Sequence, residues 1–442
     1  MKIFNSITFL LVLAASIGAH SQNTLSLSMQ EAQNLGLQNR YDVKAMRYDL
    51  ELADKKIQEQ KNNLLPDLKA TGNIHYSPKI QATFIPPGFV GMTEGRLVAL
   101  GAKSTSIFAL ELHQPLYNPS LNTNIQLAQS SKLIDEQQVH LQEIEIKKQI
   151  SYSYLNVLLR QLQHDLAKEE ERRFETYAKL AEGKHKNGTL VDNDFLRAKL
   201  DYENAQQQTQ ISKQNYDYSL QTLRYQLNVT DSTTLVLTDK LGVVSVTDVV
   251  APDYAAADKR IEYQILSLEE KHNILQGKKQ RQMVLPTLSF VANYSAQYLN
   301  AEFNYDYTMG KWWSSFSGIG LQLSVPLTGQ FTNRNHLQQI SLESQKIRAK
   351  QEHQKQTTIH EIEQASSELA NAAKNFGNAQ KNYELAKQIF QNQQQQLQLG
   401  SFSYEKILNT ESTVTNTEEN YVLACYNYLV ARLNYTVAVG QL

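Results

Sequence analysis

The chain has 442 residues, a formal net charge of −1 at pH 7 and a single cysteine, Cys425. A net charge this close to zero gives no overall attraction to nucleic acid or to an anionic surface. One cysteine excludes an internal disulfide and a thiolate metal cluster. With only 18 glycines and 9 prolines, the sequence favours long, uninterrupted helices and strands.

Residues 1–21 have the features of an export signal. Lys2 provides the positive start, residues 7–17 an apolar core, and Ala19-His20-Ser21 a small-x-small site that predicts cleavage before Gln22. The alternative, an N-terminal membrane anchor, requires a longer apolar run than this one. No run of about 18 apolar residues follows, so any membrane insertion is expected to use β-strands.

The remaining sequence contains an internal duplication. Three pairs of landmarks recur in the same order: Leu65-Pro66-Asp67-Leu68 with Leu285-Pro286-Thr287-Leu288, Pro115-Leu116 with Pro326-Leu327, and Gly188-Thr189 with Gly400-Ser401. Such internal similarity indicates a duplicated structural unit. We expect a first repeat over residues 22–227, an equatorial inter-repeat segment over 228–253 and a second repeat over 254–442.

Each repeat is predicted to contain a helix, a β-hairpin, a long helix, a turn and a return helix. In the first repeat these span residues 29–64, about 68–114, 121–186, a turn near 188, and 192–227. In the second repeat they span residues 254–284, about 288–325, 334–399, a turn near 400, and 404–439. At about 1.5 Å per residue, each long helix reaches on the order of 100 Å.

The second long helix carries a heptad pattern. Large side chains fall seven residues apart, and alanines occupy a second position of the same heptads: Ile362, Leu369, Phe376, Tyr383 and Phe390, with Ala365, Ala372, Ala379 and Ala386. A sustained seven-residue repeat predicts coiled-coil packing.

The hairpins alternate apolar and polar residues over strands of about ten residues, which is typical of outer-membrane strands. Aromatic residues near the tip of the second hairpin are expected at a membrane–water interface. They are Tyr305, Tyr307, Trp312, Trp313 and Phe316. The alternative, a soluble sheet packed on helices, is disfavoured because the helices have only narrow apolar stripes.

Four strands cannot close a barrel, and open strand edges are not tolerated in lipid. At least two chains are therefore needed to reach eight strands, and three chains give twelve. The predicted fold is mainly α with a membrane β-barrel. Each chain contains the duplicated helix–hairpin–long helix–helix repeat, and several chains together form the barrel.

Taken together, the sequence resembles the TolC family of outer-membrane efflux proteins over nearly the whole mature chain. The resemblance depends on the duplication, the Leu-Pro-x-Leu start of each hairpin, the turn motifs and the ending Asn434-Tyr435-Thr436-Val437-Ala438-Val439-Gly440. The first turn, from Gly188 to Ala198, is similar to the family's Gly-x-x-x-x-x-Asp-hydrophobic-Leu-x-Ala pattern, and the second turn matches it less well.

The resemblance implies a homotrimer in the outer membrane, with a 12-stranded β-barrel continued by an α-helical barrel in the periplasm. It implies a passive exit duct, driven by an inner-membrane pump of the RND, ABC or MFS type through a periplasmic adaptor. By position, the adaptor would contact the two tip turns at Gly188, Thr189, Leu190, Gly400, Ser401 and Phe402.

The resemblance also points to residues that would line the periplasmic entrance, namely Asp194, Glu405, Lys406 and Asn409. Some members carry carboxylates six and nine residues after the second tip glycine. Here those positions hold Lys406 and Asn409, so cation selectivity is not carried over to this chain.

No catalytic or metal-binding motif is found, and neither a cofactor nor nucleic acid is expected as a partner. His353 and His360 share a helix face, but no third ligand accompanies them, which favours a solvated face. The alternative function is an exported coiled-coil structural or adhesive protein without a pore.

Overall fold

A computed structural model describes residues 24–88, 91, 93–230, 234–241, 251–302, 310–398 and 404–442. The predicted export signal lies outside these residues. The elements in chain order are β1 (Thr24–Leu27), α1 (Met29–Asn39), α2 (Tyr41–Asn62), β2 (Asp67–Tyr76), β3 (Ala82–Ile85), β4 (Arg96–Ala99), β5 (Ser104–Tyr117), α3 (Pro119–Lys186), α4 (Asp192–Leu227), β6 (Thr234–Leu237), a 3-10 helix (Tyr254–Lys259), α5 (Ile261–Gln282), β7 (Thr287–Asn300), β8 (Trp313–Ser324), α6 (Gly329–Gln398) and α7 (Tyr404–Ala438).

The chain forms two compact units. The first comprises the described residues of Met1–Arg47, Gln138–Gln264 and His353–Leu442, and the second comprises Tyr48–Gln137 and Ile265–Glu352. The described part of the first unit is helical apart from a two-stranded parallel sheet of β1 and β6. Its largest core includes Ile150, Tyr154 and Leu227, which are fully or almost fully buried.

The second unit contains a four-stranded antiparallel sheet in the order β2-β5-β7-β8. Strands β2 and β8 form its two edges. A separate small hairpin of β3 and β4 lies within the connection between β2 and β5. The sequence predicted one hairpin over about 68–114 and did not predict this inner pair.

The helix predicted over residues 29–64 is divided at Arg40, whose extended backbone (ψ 136°) separates α1 from α2. Residues far away in the sequence stabilise this break. The side-chain amide of Asn228 donates to the Asn39 carbonyl at 2.9 Å, and Arg40 donates to the side chain of Gln226. The region predicted as one helix from residue 254 begins as a 3-10 helix, and the α-helix starts at Ile261.

None of the helices in the described part of the chain combines the length and apolar character that a membrane-crossing helix requires. Among the same residues, no three His, Cys, Asp or Glu side chains are grouped so that they could hold a metal ion.

Candidate functional site

The first tip turn, residues 187–191, joins α3 to α4 in the first unit. Gly188 has φ +71°, a left-handed conformation that strains residues with a Cβ. The Gly188 N–H donates to the His185 carbonyl and the Thr189 N–H to the Lys184 carbonyl, both at 2.9 Å. This is the Schellman arrangement, in which glycine ends a helix and its last carbonyls keep their partners.

A small apolar cluster supports the tip turn. Tyr177, Ala181 and Ala198 are buried, and Leu190 and Leu408 are among the half-buried residues that pack on them. Leu190 is thus a packed residue of the turn, whereas Gly188 and Thr189 are exposed. Helix α7 contributes Leu408, so the cluster joins three helices of the first unit.

His185 stacks on Phe195 with parallel rings 4.9 Å apart. Its Nδ1 lies 3.4 Å from a carboxylate oxygen of Asp192, in the first turn of α4. Acidic residues at a helix N-terminus are favoured by the helix dipole, and Asp194 follows in the same turn. The end of α3 therefore contacts the start of α4 through the stacked His185 and Phe195 rings and through the contact between His185 and Asp192.

Behind the tip turn, a buried carboxylate joins α3 to α7. Glu411 has only 1% of its side chain exposed. Arg173 donates from Nε to one of its oxygens at 3.0 Å, and the Tyr177 hydroxyl donates to the other at 2.6 Å. The Arg173 guanidinium also lies 5.7 Å from the ring centre of Phe390 on α6. Burial and the nearby Glu411 charge raise the pKa of Tyr177, which therefore stays a hydrogen-bond donor.

A second carboxylate lies beside this group. The Thr415 hydroxyl donates to Glu170 at 3.1 Å, and burial raises the pKa of the Glu170 carboxyl. The Tyr383 hydroxyl donates to Glu418 at 2.5 Å. Together with Arg173 and Glu411, these side chains form a polar layer across three helices, which we call the inter-helix polar layer (Glu170, Arg173, Tyr177, Tyr383, Glu411, Thr415 and Glu418).

The heptad residues of α6 pack mainly on α7. Phe376 is buried against Tyr428, with ring centres 5.8 Å apart, and against Cys425. Ile362 and Ala365 are buried beside residues near the end of α7. All nine heptad residues named from the sequence are buried or half-buried.

Of the predicted entrance residues, Asp194 is half-buried, and Lys406 and Asn409 are exposed on the first turns of α7. The side chain of Glu405 and the second tip residues Gly400, Ser401 and Phe402 lie outside the described residues. The structure therefore gives a geometry for one tip turn.

The four-stranded sheet separates its side chains into an apolar and a polar face. One row across the strands is Leu68, Leu112, Ala292 and Ile319, and the adjacent row on the opposite face is Lys69, Glu111, Asn293 and Gly318. The apolar face is open, since Ile319 is 83% exposed and Leu321 66%. Large apolar surface left uncovered marks a site of protein or membrane contact.

Aromatic side chains collect at the end of β7 and the start of β8. The Trp313 ring lies 5.2 Å from that of Tyr298 and 6.1 Å from that of Phe108, and Lys311 lies over the ring of Trp312. Phe316 is exposed. Tyr305 and Tyr307 lie outside the described residues.

Sequence reasoning missed the inter-helix polar layer. The available signal was weak: Tyr383 was assigned to the heptad positions, and its tyrosine hydroxyl required a partner in a packed helix interface. Nothing in the sequence near Glu411 indicates that Arg173, 238 residues earlier, is that carboxylate's partner.

The sequence profile described as outer membrane efflux protein matches residues 33–229 and 276–441. A search of curated protein sequences gave no match. Three solved structures are similar to this chain, and each match covers 93% of it. CusC has a TM-score of 0.71 with 92% of its own chain covered, and the Campylobacter jejuni CmeC outer membrane channel has a TM-score of 0.71 with 85% of its chain covered. The open state of the Neisseria gonorrhoeae MtrE outer membrane channel has a TM-score of 0.72 with 88% of its chain covered. Each is 14% identical to this chain, so the likeness shows a shared, mostly helical fold.

The two matched segments cover well over half of the 442 residues. The protein is accordingly an efflux channel component of the outer membrane and not an enzyme, which confirms the predicted class and location. The chain therefore belongs to the outer membrane efflux protein family.

Proposed function

We propose that three copies of the chain form a passive exit duct, in which a 12-stranded β-barrel crosses the outer membrane and an α-helical barrel continues it in the periplasm. A periplasmic adaptor contacts the tip turns, and an inner-membrane pump of the RND, ABC or MFS type provides the energy. The match of the family profile to two separate segments supports the duplication over 22–227 and 254–442, with 228–253 as the equatorial segment.

One observation carries the proposal: the four-stranded sheet has an open apolar face and two free edges. Strands β2 and β8 each pair with one neighbour within the described sheet. In lipid, every unpaired N–H and C=O group costs several kcal/mol, so an open edge does not persist there. Further copies of the same sheet supply the missing partners.

The helices of the first unit also leave apolar side chains uncovered at heptad spacing. On α4, Ile211, Tyr218 and Tyr225 follow one another every seven residues and are 41%, 72% and 81% exposed. A repeat of this kind is the pattern of a helix that packs on a neighbouring helix. Contact with the next copy would cover this stripe.

We further propose that the adaptor contacts both tip turns and that Asp194, Glu405, Lys406 and Asn409 line the entrance. The exposure of Gly188 and Thr189 supports the first tip turn as a contact surface. The exposure of Lys406 supports a positive charge at this entrance, at a position where the resemblance implies a carboxylate in some family members.

Membrane fractionation and electrophoresis test the assembly. The full-length protein is expected in the outer-membrane fraction, as a trimer that resists SDS before heating, and to conduct ions in planar lipid bilayers. A chain without β7 and β8 is expected not to insert. A monomer that remains stable in water, or insertion of the truncated chain as a trimer, would contradict the proposal.

Substitution of Thr189 tests the adaptor contact. Thr189→Glu adds a charge to the exposed turn, whereas Thr189→Ser keeps the hydroxyl that donates to the Lys184 carbonyl at 2.9 Å. We expect the glutamate variant to lose efflux while its trimers remain intact, and the serine variant to retain efflux. Equal efflux in both variants would exclude this turn from the contact.

A further inference from the structure

The charged side chains of the four-stranded sheet lie in one small region. Within the strands β2, β5, β7 and β8, the only Asp, Glu, Lys or Arg residues are Asp67, Lys69 and Glu111. Strands β7 and β8 carry no charged residue: Asn293 and Gly318 continue the row of Glu111, and Val291 and Gly320 continue the row of His113. The charge of the sheet is therefore confined to β2 and β5.

The register brings these residues into two neighbouring positions of the same face. Lys69 is paired with Glu111, and Asp67 with His113, two residues along each strand. Residues two apart on a strand lie on the same face. All four are exposed, and they lie at the end of the sheet where α2 leads into β2 and β5 leads into α3.

This face is opposite the apolar one. Leu68 and Leu112 belong to the apolar row that includes Ile319, and Lys69 and Glu111 alternate with them along the strands. A charged side chain at the lipid face of a membrane strand destabilises the folded state. If the apolar face meets lipid, as the proposed function requires, the charged face borders the conduit.

We infer that Asp67, Lys69 and Glu111 form a charged ring that sets the ion and substrate charge preference of the conduit. Each copy contributes two carboxylates and one ammonium group. Three copies repeat this arrangement around the axis, with a net negative charge that favours cations over anions. The inference rests on the proposed trimeric channel and adds the residues that discriminate by charge.

Reversal potentials across planar bilayers in a KCl gradient test the ring. Glu111→Gln removes one negative charge per copy and is expected to lower the cation-to-anion permeability ratio about twofold in 0.1 M salt. Lys69→Gln is expected to raise the ratio by a similar factor. Both effects should grow in 0.01 M salt, where the Debye length increases from about 10 Å to about 30 Å.

Two variants serve as matched controls because they keep the net charge of the ring. Lys69→Arg and the double variant Lys69→Gln with Glu111→Gln are expected to stay near the wild-type ratio. A ratio that is unchanged in both single variants, or that changes as much in Lys69→Arg, would overturn the inference.

Thiol labelling provides an independent readout of which face borders the conduit. The native Cys425 is buried, so introduced cysteines can be compared on this background. Thr71→Cys lies on the charged face and Ala70→Cys on the apolar face. A cationic, membrane-impermeant thiol reagent should reduce the conductance of the first variant only, and the reverse pattern would overturn the inference.

The outcomes separate this inference from the proposed function. Absence of conductance in the wild-type protein would refute both the proposed channel and the charged ring. Wild-type conductance with the expected labelling, but with the same permeability ratio in both charge variants, would leave the channel intact and refute the ring alone.

Discussion

Replacement of Glu411 by alanine tests the energetic role of the inter-helix polar layer. The substitution removes the carboxylate that accepts hydrogen bonds from Arg173 and Tyr177 at 3.0 and 2.6 Å. The Arg173 side chain is only 17% exposed, so water cannot fully solvate its charge once the partner is gone.

The magnitude follows from burial. Removing one partner of a buried ion pair costs about 3–5 kcal/mol, because the remaining charge stays buried without compensation. An exposed pair costs about 0–1 kcal/mol. Glu182, which pairs with Lys186 one turn apart on the surface of α3, provides the matched control. We therefore expect Glu411→Ala to destabilise the helices several times more than Glu182→Ala.

Thermal unfolding in detergent, followed by circular dichroism at the helix minimum, measures the difference. A change of 1 kcal/mol shifts the midpoint by about 2–4 °C for a unit of this size. Glu411→Ala is thus expected to lower the midpoint by about 6–20 °C and Glu182→Ala by less than about 4 °C. Similar midpoints for the two variants would refute the reasoning, as would a double variant of Arg173→Met with Glu411→Leu that is no more stable than Glu411→Ala.

Three further substitutions test local features. Glu170→Gln should raise the thermal unfolding midpoint at pH 7.5 and leave it unchanged at pH 4. Burial raises the pKa of the Glu170 carboxyl, so the wild-type side chain destabilises the fold only at a pH where it is ionised. Midpoints measured over a pH series check this. Phe376→Ala should cost about 3–5 kcal/mol by chemical denaturation, whereas Leu385→Ala, 58% exposed, should cost far less. Gly188→Ala should cost about 1–2 kcal/mol, since alanine must adopt φ +71°, and an unchanged denaturation midpoint would contradict the turn geometry.

The elements that sequence reasoning placed best are those fixed by local chemistry. The return helix expected over 192–227 has those bounds, because Gly188 ends the preceding helix and an αL residue, Asn228, ends this one. The strand faces could be assigned from alternation alone. A one-residue shift of register would move Leu68 to the polar face, so the pattern specifies the pairing strongly.

The features that escaped sequence reasoning depend on distant partners. The break at Arg40 depends on Asn228 and Gln226, nearly 190 residues away. The parallel pairing of β1 with β6 joins Leu25 to Leu235. Local periodicity carries no information about such contacts. It likewise gives no indication that Glu411 accepts hydrogen bonds from Arg173 and Tyr177.

The strand order has one consequence for how copies can join. Four antiparallel strands alternate in direction, so the edge strands β2 and β8 of one copy run in opposite directions. When β8 of one copy meets β2 of the next, that junction is also antiparallel, and the pattern continues without interruption. The contact is head-to-tail, which produces either a closed ring or an open chain of copies. Only a closed ring leaves no free edge in lipid, so the edge pairing that we propose requires rotational symmetry, and three copies yield the twelve strands of the proposed barrel.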